Sequence, residues 1–204
     1  VLGTAGIGVI LYVLPFRKKE MRLTARTTIQ TLLKSKVSAW QVIALLATSV
    51  ALIGALAPEI EYDALWYHLW LPRLWLEHGS PVDLVSEYIS LYPLTWELVY
   101  GAGLVMGGSI AAKLLSFSCL LLTAMVIYQL VRRYAPHASP WLAVTIWITT
   151  PTVLWEATTT YVDLALGFFV MLVVYSAIRY ADTMQRPWII IAGLSAGFAL
   201  GIKH

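Results

Sequence analysis

Charge is scarce in this 204-residue sequence, and cysteine is almost absent. Asp, Glu, Lys and Arg together make up 12% of the chain, against 59% hydrophobic residues. Soluble domains lie nearer 45–50% apolar and about 25% charged. A water-facing globular domain is therefore excluded, because too few polar side chains remain to cover it. The single thiol, Cys119, sits in an apolar run, which rules out an internal disulfide framework or a cysteine metal cluster. Internal repeats and low-complexity tracts are also missing. The chain opens on Val1 inside an apolar stretch, with no initiator Met and no signal-peptide n-region, and stops at His204 just after another apolar stretch. These ends read as those of an N-terminal or internal piece of a longer protein.

What the chain has is apolar length and aromatic rings. Mean hydropathy is +0.75, and nine Trp and eleven Tyr suit rings that collect at the headgroup level of a bilayer. A spanning helix needs roughly 20 apolar residues to cross about 30 Å of hydrocarbon. Complete or near-complete spans are expected at 40–57, 110–131, 141–157 (containing Pro151), 164–177 and 188–202. Residues 1–16 read as a truncated span followed by a basic stretch, 17–36. Residues 58–92 are mixed, aromatic and acidic. The expected division is 1–38, the end of a preceding span plus a basic cytoplasmic loop, and 39–204, a transmembrane module.

Charge sorting sets the topology. The segment 94–106 is apolar, short and glycine-rich, and it suits a re-entrant or interfacial element better than a crossing. If it does not cross, the loops at 17–36, 132–133 and 179–186 share one face. That face collects eleven of the fourteen Lys and Arg but only Glu20 and Asp182 among eleven acids. The positive-inside rule makes this face cytoplasmic. A long first loop, 58–109, and a short one, 158–163, then lie outside.

The outer loop carries Glu59, Glu61, Asp63, His68 and His78. Pro58 ends the preceding span, and Asp63 stands where a helix N-cap would. Residues 64–77 are expected to form an interfacial helix with Trp66 and Trp70 on one face and Pro72 kinking its middle. A carboxylate at the mouth of a helix bundle is also a candidate general base, so Asp63 reads either as a cap or as chemistry. Glu59 reads as a solvated loop charge, and Glu61 reads the same way from its position alone. His68 and His78 read as interfacial polar groups without metal-ligand spacing. Asp163 lies between two spans joined by a very short connection, where a carboxylate needs partners or a wet cavity. It too has a bland reading, as a loop acid or helix cap. Glu156 shares that location. Lys113, Lys203 and Arg73 are the only cations on this side, and each alone is explained by snorkelling. Taken together, acids and bases at one bilayer depth suggest a site for a phosphate-bearing lipid.

At these residues the sequence resembles the GT-C class of membrane glycosyltransferases, nearest the group around protein O-mannosyltransferases and aminoarabinose transferases. The matching elements are Glu61-Tyr-Asp-Ala-Leu-Trp-Tyr-His68, Tyr92-Pro-Leu-Thr-Trp-Glu97, Met106-Gly-Gly-Ser109, Ala111-Ala-Lys-Leu114, Thr150-Pro-Thr-Val153, Tyr161-Val-Asp-Leu164 and the glycine-rich run ending in Lys203. The resemblance implies an all-α, multi-pass helix bundle whose long first extracytoplasmic loop contains interfacial helices. It implies Asp63 as acceptor-activating base, Asp163 as a second catalytic carboxylate that orients substrate or a metal, and Lys113, Lys203 and Arg73 as contacts to the donor phosphate. Tyr62, Tyr67, His68 and Glu61 would form the substrate loop. The implied donor is a polyprenyl-phosphate-linked sugar, transferred with inversion to a lipid, glycan or protein hydroxyl. The bilayer is a partner and nucleic acid is not. A divalent metal ion is left open, because Asp63 is followed by Ala64 where the family often has Glu. The implied setting is a prokaryotic inner (plasma) membrane with the site facing outward. The alternatives are a transporter or lipid flippase, which would bind near the bilayer midplane within repeated halves, and a non-catalytic membrane subunit whose outer loop docks a partner.

Overall fold

The computed structural model describes residues 37–82 and 88–203. The stretches 1–16 and 17–36, and the acids Asp83 and Glu87, lie outside the described residues. The chain divides into Val1–Ser38 and Ala39–His204, and the architecture below is that of the second unit.

All regular structure among the described residues is helical. In chain order it comprises α1 (Ala39–Leu56), a π-helical turn (Ala64–His68), α2 (Trp70–His78), a 3-10 turn (Tyr88–Leu91), α3 (Thr95–Tyr134), α4 (Pro140–Thr149), α5 (Pro151–Glu156), α6 (Asp163–Thr183) and α7 (Arg186–Ile202). Three of these, α1, α3 and α6, are long and apolar enough to cross a membrane. The 17 residues of α7 reach roughly 25 Å at 1.5 Å per residue, close to the hydrocarbon thickness. The expected all-α membrane bundle is what is observed.

Packing follows the logic of lipid as solvent. The buried positions of α1 are Ala44, Ala51 and Ala55, whereas Leu45 and Ile53 are 67% and 70% exposed. Small residues let helix backbones approach, and large apolar ones turn out to lipid. Hydroxyls in the spans bond back to their own helix: Thr48 donates to the Ala44 carbonyl, and Thr149 to that of Thr145, each at 2.7 Å. Thr145 also bridges to the Trp40 carbonyl at 2.8 Å, tying α4 to the start of α1. Phe169 stacks on Phe198 between α6 and α7.

Two glycines decide how α3 runs. Gly107 and Gly108 leave helical geometry, and Gly108 has φ 69°, a conformation that glycine adopts without the Cβ penalty. Past them the chain folds back on itself. The Tyr100 hydroxyl lies 2.6 Å from Ser116 Oγ, and a Cβ on Gly103 would sit 2.9 Å from Ala112 Cα. In an unbroken helix, residues nine apart would be separated by roughly 13 Å. The first arm, 95–106, is therefore about 18 Å long and packs beside the second arm instead of extending it. The segment 94–106, read from the sequence as short and non-crossing, forms this first arm.

The span expected at 141–157 is split. Thr150 is extended (ψ 121°) and Pro151 starts α5, because the residue before proline is driven out of helical geometry and proline is accepted in a first turn. The helix expected at 64–77 also differs from expectation. The interruption falls at Leu69, and Pro72 lies in the first turn of α2. Proline has no N–H to offer the His68 carbonyl, and just upstream the Leu69 amide bonds instead to the Ala64 carbonyl at 2.9 Å, a π-type link. The extra residue in that turn separates Trp66 from Trp70. Trp66 packs on the Leu71, Trp75 and Ile89 cluster, and Trp70 is 40% exposed.

Candidate active site at one end of the bundle

The end of α1, the second arm of α3 near Lys113, the end of α5, the start of α6 and the end of α7 meet at one end of the bundle. The opposite end holds Arg133, 3.5 Å from Asp182, and Tyr134, whose hydroxyl donates to the same carboxylate. Residues far apart in the chain are thus sorted by end, and the acids gather at the first.

A cleft of about 460 Å³ opens there. It is lined by Asp63, Tyr67, His68, Glu97, Tyr161, Asp163 and Lys203, together with Tyr92, Pro93, Leu94, Val162 and Ile202. Asp63 and Asp163 therefore share one cavity. Neither is used as a cap. Asp63 is already in helical conformation and makes no side-chain capping bond to the π turn, and Asp163 lies inside the first turn of α6, likewise without one. Among the described residues no donor bonds to the Asp63 carboxylate. Asp163 accepts from Lys203 Nζ at 2.9 Å, a pair whose side chains are 42% and 58% exposed. That exposure leaves Lys203 donors for a ligand.

Three carboxylates converge on Tyr67. Its phenol is pushed up to about 12, first by burial and then by Asp63, Glu97 and Asp163 in turn. Tyr161 is raised for the same reasons, burial first and then Asp63 and Glu61. Both phenols remain neutral donors in an acidic cleft.

The remaining expected site residues lie elsewhere. Lys113 is 2% exposed and donates to the carbonyls of Ala57 (2.8 Å) and Pro58 (3.4 Å). It thereby satisfies the open C-terminal end of α1 and is not part of the cleft lining. Arg73 is exposed on α2, also away from the lining. Glu61 accepts from Trp155 Nε1 at 3.2 Å. Tyr62 is 71% exposed and packs its ring 5.4 Å from that of Trp66.

Two acids matter more than their sequence context suggested. Glu59, read as a solvated loop charge, is a clasp between the loop that follows α1 and the loop that precedes α6. Its Oε2 accepts from the Thr159 hydroxyl (3.0 Å), the Thr160 amide (3.0 Å) and the Thr160 hydroxyl (3.3 Å). Its Oε1 accepts from the amides of Ile60 and Glu61. Glu97 is 2% exposed and accepts from His68 Nδ1 at 2.7 Å, so His68 is a buried, paired group. One signal for Glu97 was present: it is the only Asp, Glu, Lys, Arg or His in the apolar segment 94–106, and such a residue points to function by default.

Among the described residues, no three His, Cys, Asp or Glu side chains form a group able to hold a metal ion. Of the cleft acids, Asp163 is paired with Lys203 and one oxygen of Glu97 with His68, while among the described residues the Asp63 carboxylate and the other Glu97 oxygen have no partner. The described residues therefore do not by themselves build a three-ligand site for a divalent cation.

No curated protein and no solved structure matches the chain. The family model described as dolichyl-phosphate-mannose-protein mannosyltransferase matches residues 94–204, more than half the sequence, and takes in Glu97, Lys113, Asp163 and Lys203. With an all-helical membrane bundle and an acidic cleft at one end of it, the chain belongs to this family of membrane glycosyltransferases.

Proposed function

We propose that the cleft transfers a sugar, with inversion, from a polyprenyl-phosphate donor to an acceptor hydroxyl on the extracytoplasmic side of the membrane. The supporting observation is that Asp63 and Asp163, one hundred positions apart, line the same cleft as Lys203. Asp63, whose carboxylate accepts from no donor among the described residues, takes the proton from the acceptor hydroxyl as its oxygen attacks C1 of the sugar. The C1–O bond to phosphate breaks, its electron pair stays on the phosphate oxygen, and polyprenyl phosphate leaves. Lys203, held by Asp163, faces that growing negative charge. Lys113 holds the end of α1, and it and Arg73 stand outside this step. The outward orientation is supported by the Arg132, Arg133, Arg179 and Arg186 set at the end away from the cleft, which the positive-inside rule places in the cytoplasm.

The test is Asp63→Asn in the full-length protein supplied with polyprenyl-phosphate sugar. The expected result is a loss of about 100-fold or more in kcat with unfolding temperature unchanged, the usual range for removing a general base. Unchanged turnover refutes the assignment.

A further inference from the structure

We infer that Glu97, oriented by His68, recognises a hydroxyl of the transferred sugar and so selects which sugar the cleft accepts. The inference rests on the transferase reading above and adds a specificity residue to it.

Glu97 has one carboxylate oxygen spoken for and one not. Oε1 accepts from His68 Nδ1 at 2.7 Å, in a pair whose side chains are 2% and 5% exposed. Oε2 is buried, and among the described residues it has no hydrogen-bond partner. A buried carboxylate oxygen left unpaired is costly, and each such group in a folded protein calls for an explanation. Both residues line the cleft that holds Asp63, Asp163 and Lys203, so the missing donor is one that the occupant of the cleft brings.

The surroundings narrow its chemistry. Three carboxylates, Asp63, Glu97 and Asp163, bear on Tyr67, and this electrostatic setting repels an anion at the Glu97 end. A neutral hydroxyl donor fits. The rings of Tyr67, Tyr92 and Tyr161 supply apolar faces in the same cleft, and His68 lies against two of them, with centroids 4.0 Å from Tyr67 and 5.7 Å from Tyr161. Carboxylate acceptors beside aromatic faces suit a sugar ring, which has hydroxyls at its rim and C–H bonds on its faces. The phosphate then lies toward Lys203. The His68 bond fixes which oxygen of Glu97 is free, and packing holds both side chains.

The experiment uses purified full-length protein and a panel of polyprenyl-phosphate hexoses, followed by deoxy analogues of the hexose turned over fastest, each lacking one hydroxyl. Wild type is expected to disfavour one analogue by about 10- to 100-fold in kcat/KM, the range for one charged hydrogen bond. In Glu97→Gln the parent donor weakens and that one penalty shrinks to about threefold, while the penalties at the other hydroxyls persist. His68→Phe, which releases Glu97 without removing it, narrows the same penalty in part. Uniform loss across all donors in Glu97→Gln marks a structural role and overturns the inference. So does a wild type that treats every deoxy donor alike, whether or not the variants fold. Failure to turn over any polyprenyl-phosphate hexose overturns the transferase reading itself, and this assignment with it.

Discussion

Glu59 offers the sharpest stability test, because one carboxylate joins the two loops that carry Asp63 and Asp163. Its Oε2 accepts from three donors on Thr159 and Thr160 at 3.0–3.3 Å, and those threonines are 1% and 0% exposed. Glu59→Ala leaves three donors without their acceptor. An orphaned buried polar group costs about 1–3 kcal/mol. Glu59 itself is half-buried, so water reaches the vacated space and the lower figure applies to each. The expected loss is about 3 kcal/mol. Glu59→Gln retains one oxygen, but its amide group then confronts either the Thr159 and Thr160 donors or the amides of Ile60 and Glu61, and a loss of about 1 kcal/mol is expected. Denaturant unfolding in detergent measures both, and the predicted order is Ala, then Gln, then wild type. Because the clasp sets the relation between the two loops, kcat should fall in the same order. Glu59→Ala within about 0.5 kcal/mol of wild type, the range of an inert surface change, would refute the reasoning.

Three further outcomes follow from other contacts. Gly103→Val should destabilise by at least about 1–3 kcal/mol, because even a Cβ would meet the Ala112 backbone at 2.9–3.0 Å; thermal unfolding checks it, and an unchanged midpoint would argue against the hairpin in α3. Lys113→Met should lower stability by about 2 kcal/mol by orphaning the carbonyls of Ala57 and Pro58 while leaving the KM for donor within about twofold, since Lys113 does not line the cleft; a large rise in KM with normal stability would return it to the phosphate. Tyr67 should titrate near 12 instead of the ordinary 10.0, seen as a late-ionising phenol absent from Tyr67→Phe. The sign follows from its raised folded-state value: the stability it contributes is complete below pH 10 and is lost as pH rises toward 12.

Much of this protein is legible without coordinates. The bilayer demands long apolar helices with internally bonded backbone, so composition and run length alone dictate an all-α bundle. Charge sorting separates its two ends. The short connection before α6 confines Asp163 to the boundary, and Pro58 releases the chain just ahead of Asp63. These are local properties, encoded in runs of a dozen residues. Which side chains meet is not local. Lys113 occupies its expected position at the head of a span, yet its ammonium caps α1, because the end of that helix comes within 2.8 Å of it. His68 and Glu97 are 29 positions apart, and Glu59 and Thr160 are 101 apart. Their pairing depends on the rotation of each helix, and one extra residue in the π turn at Ala64–His68 changes that rotation by about 100°. Hydrophobicity sets which residues enter the membrane, but the rotation that points Glu97 into the cleft and Lys113 away from it is set by packing between helices.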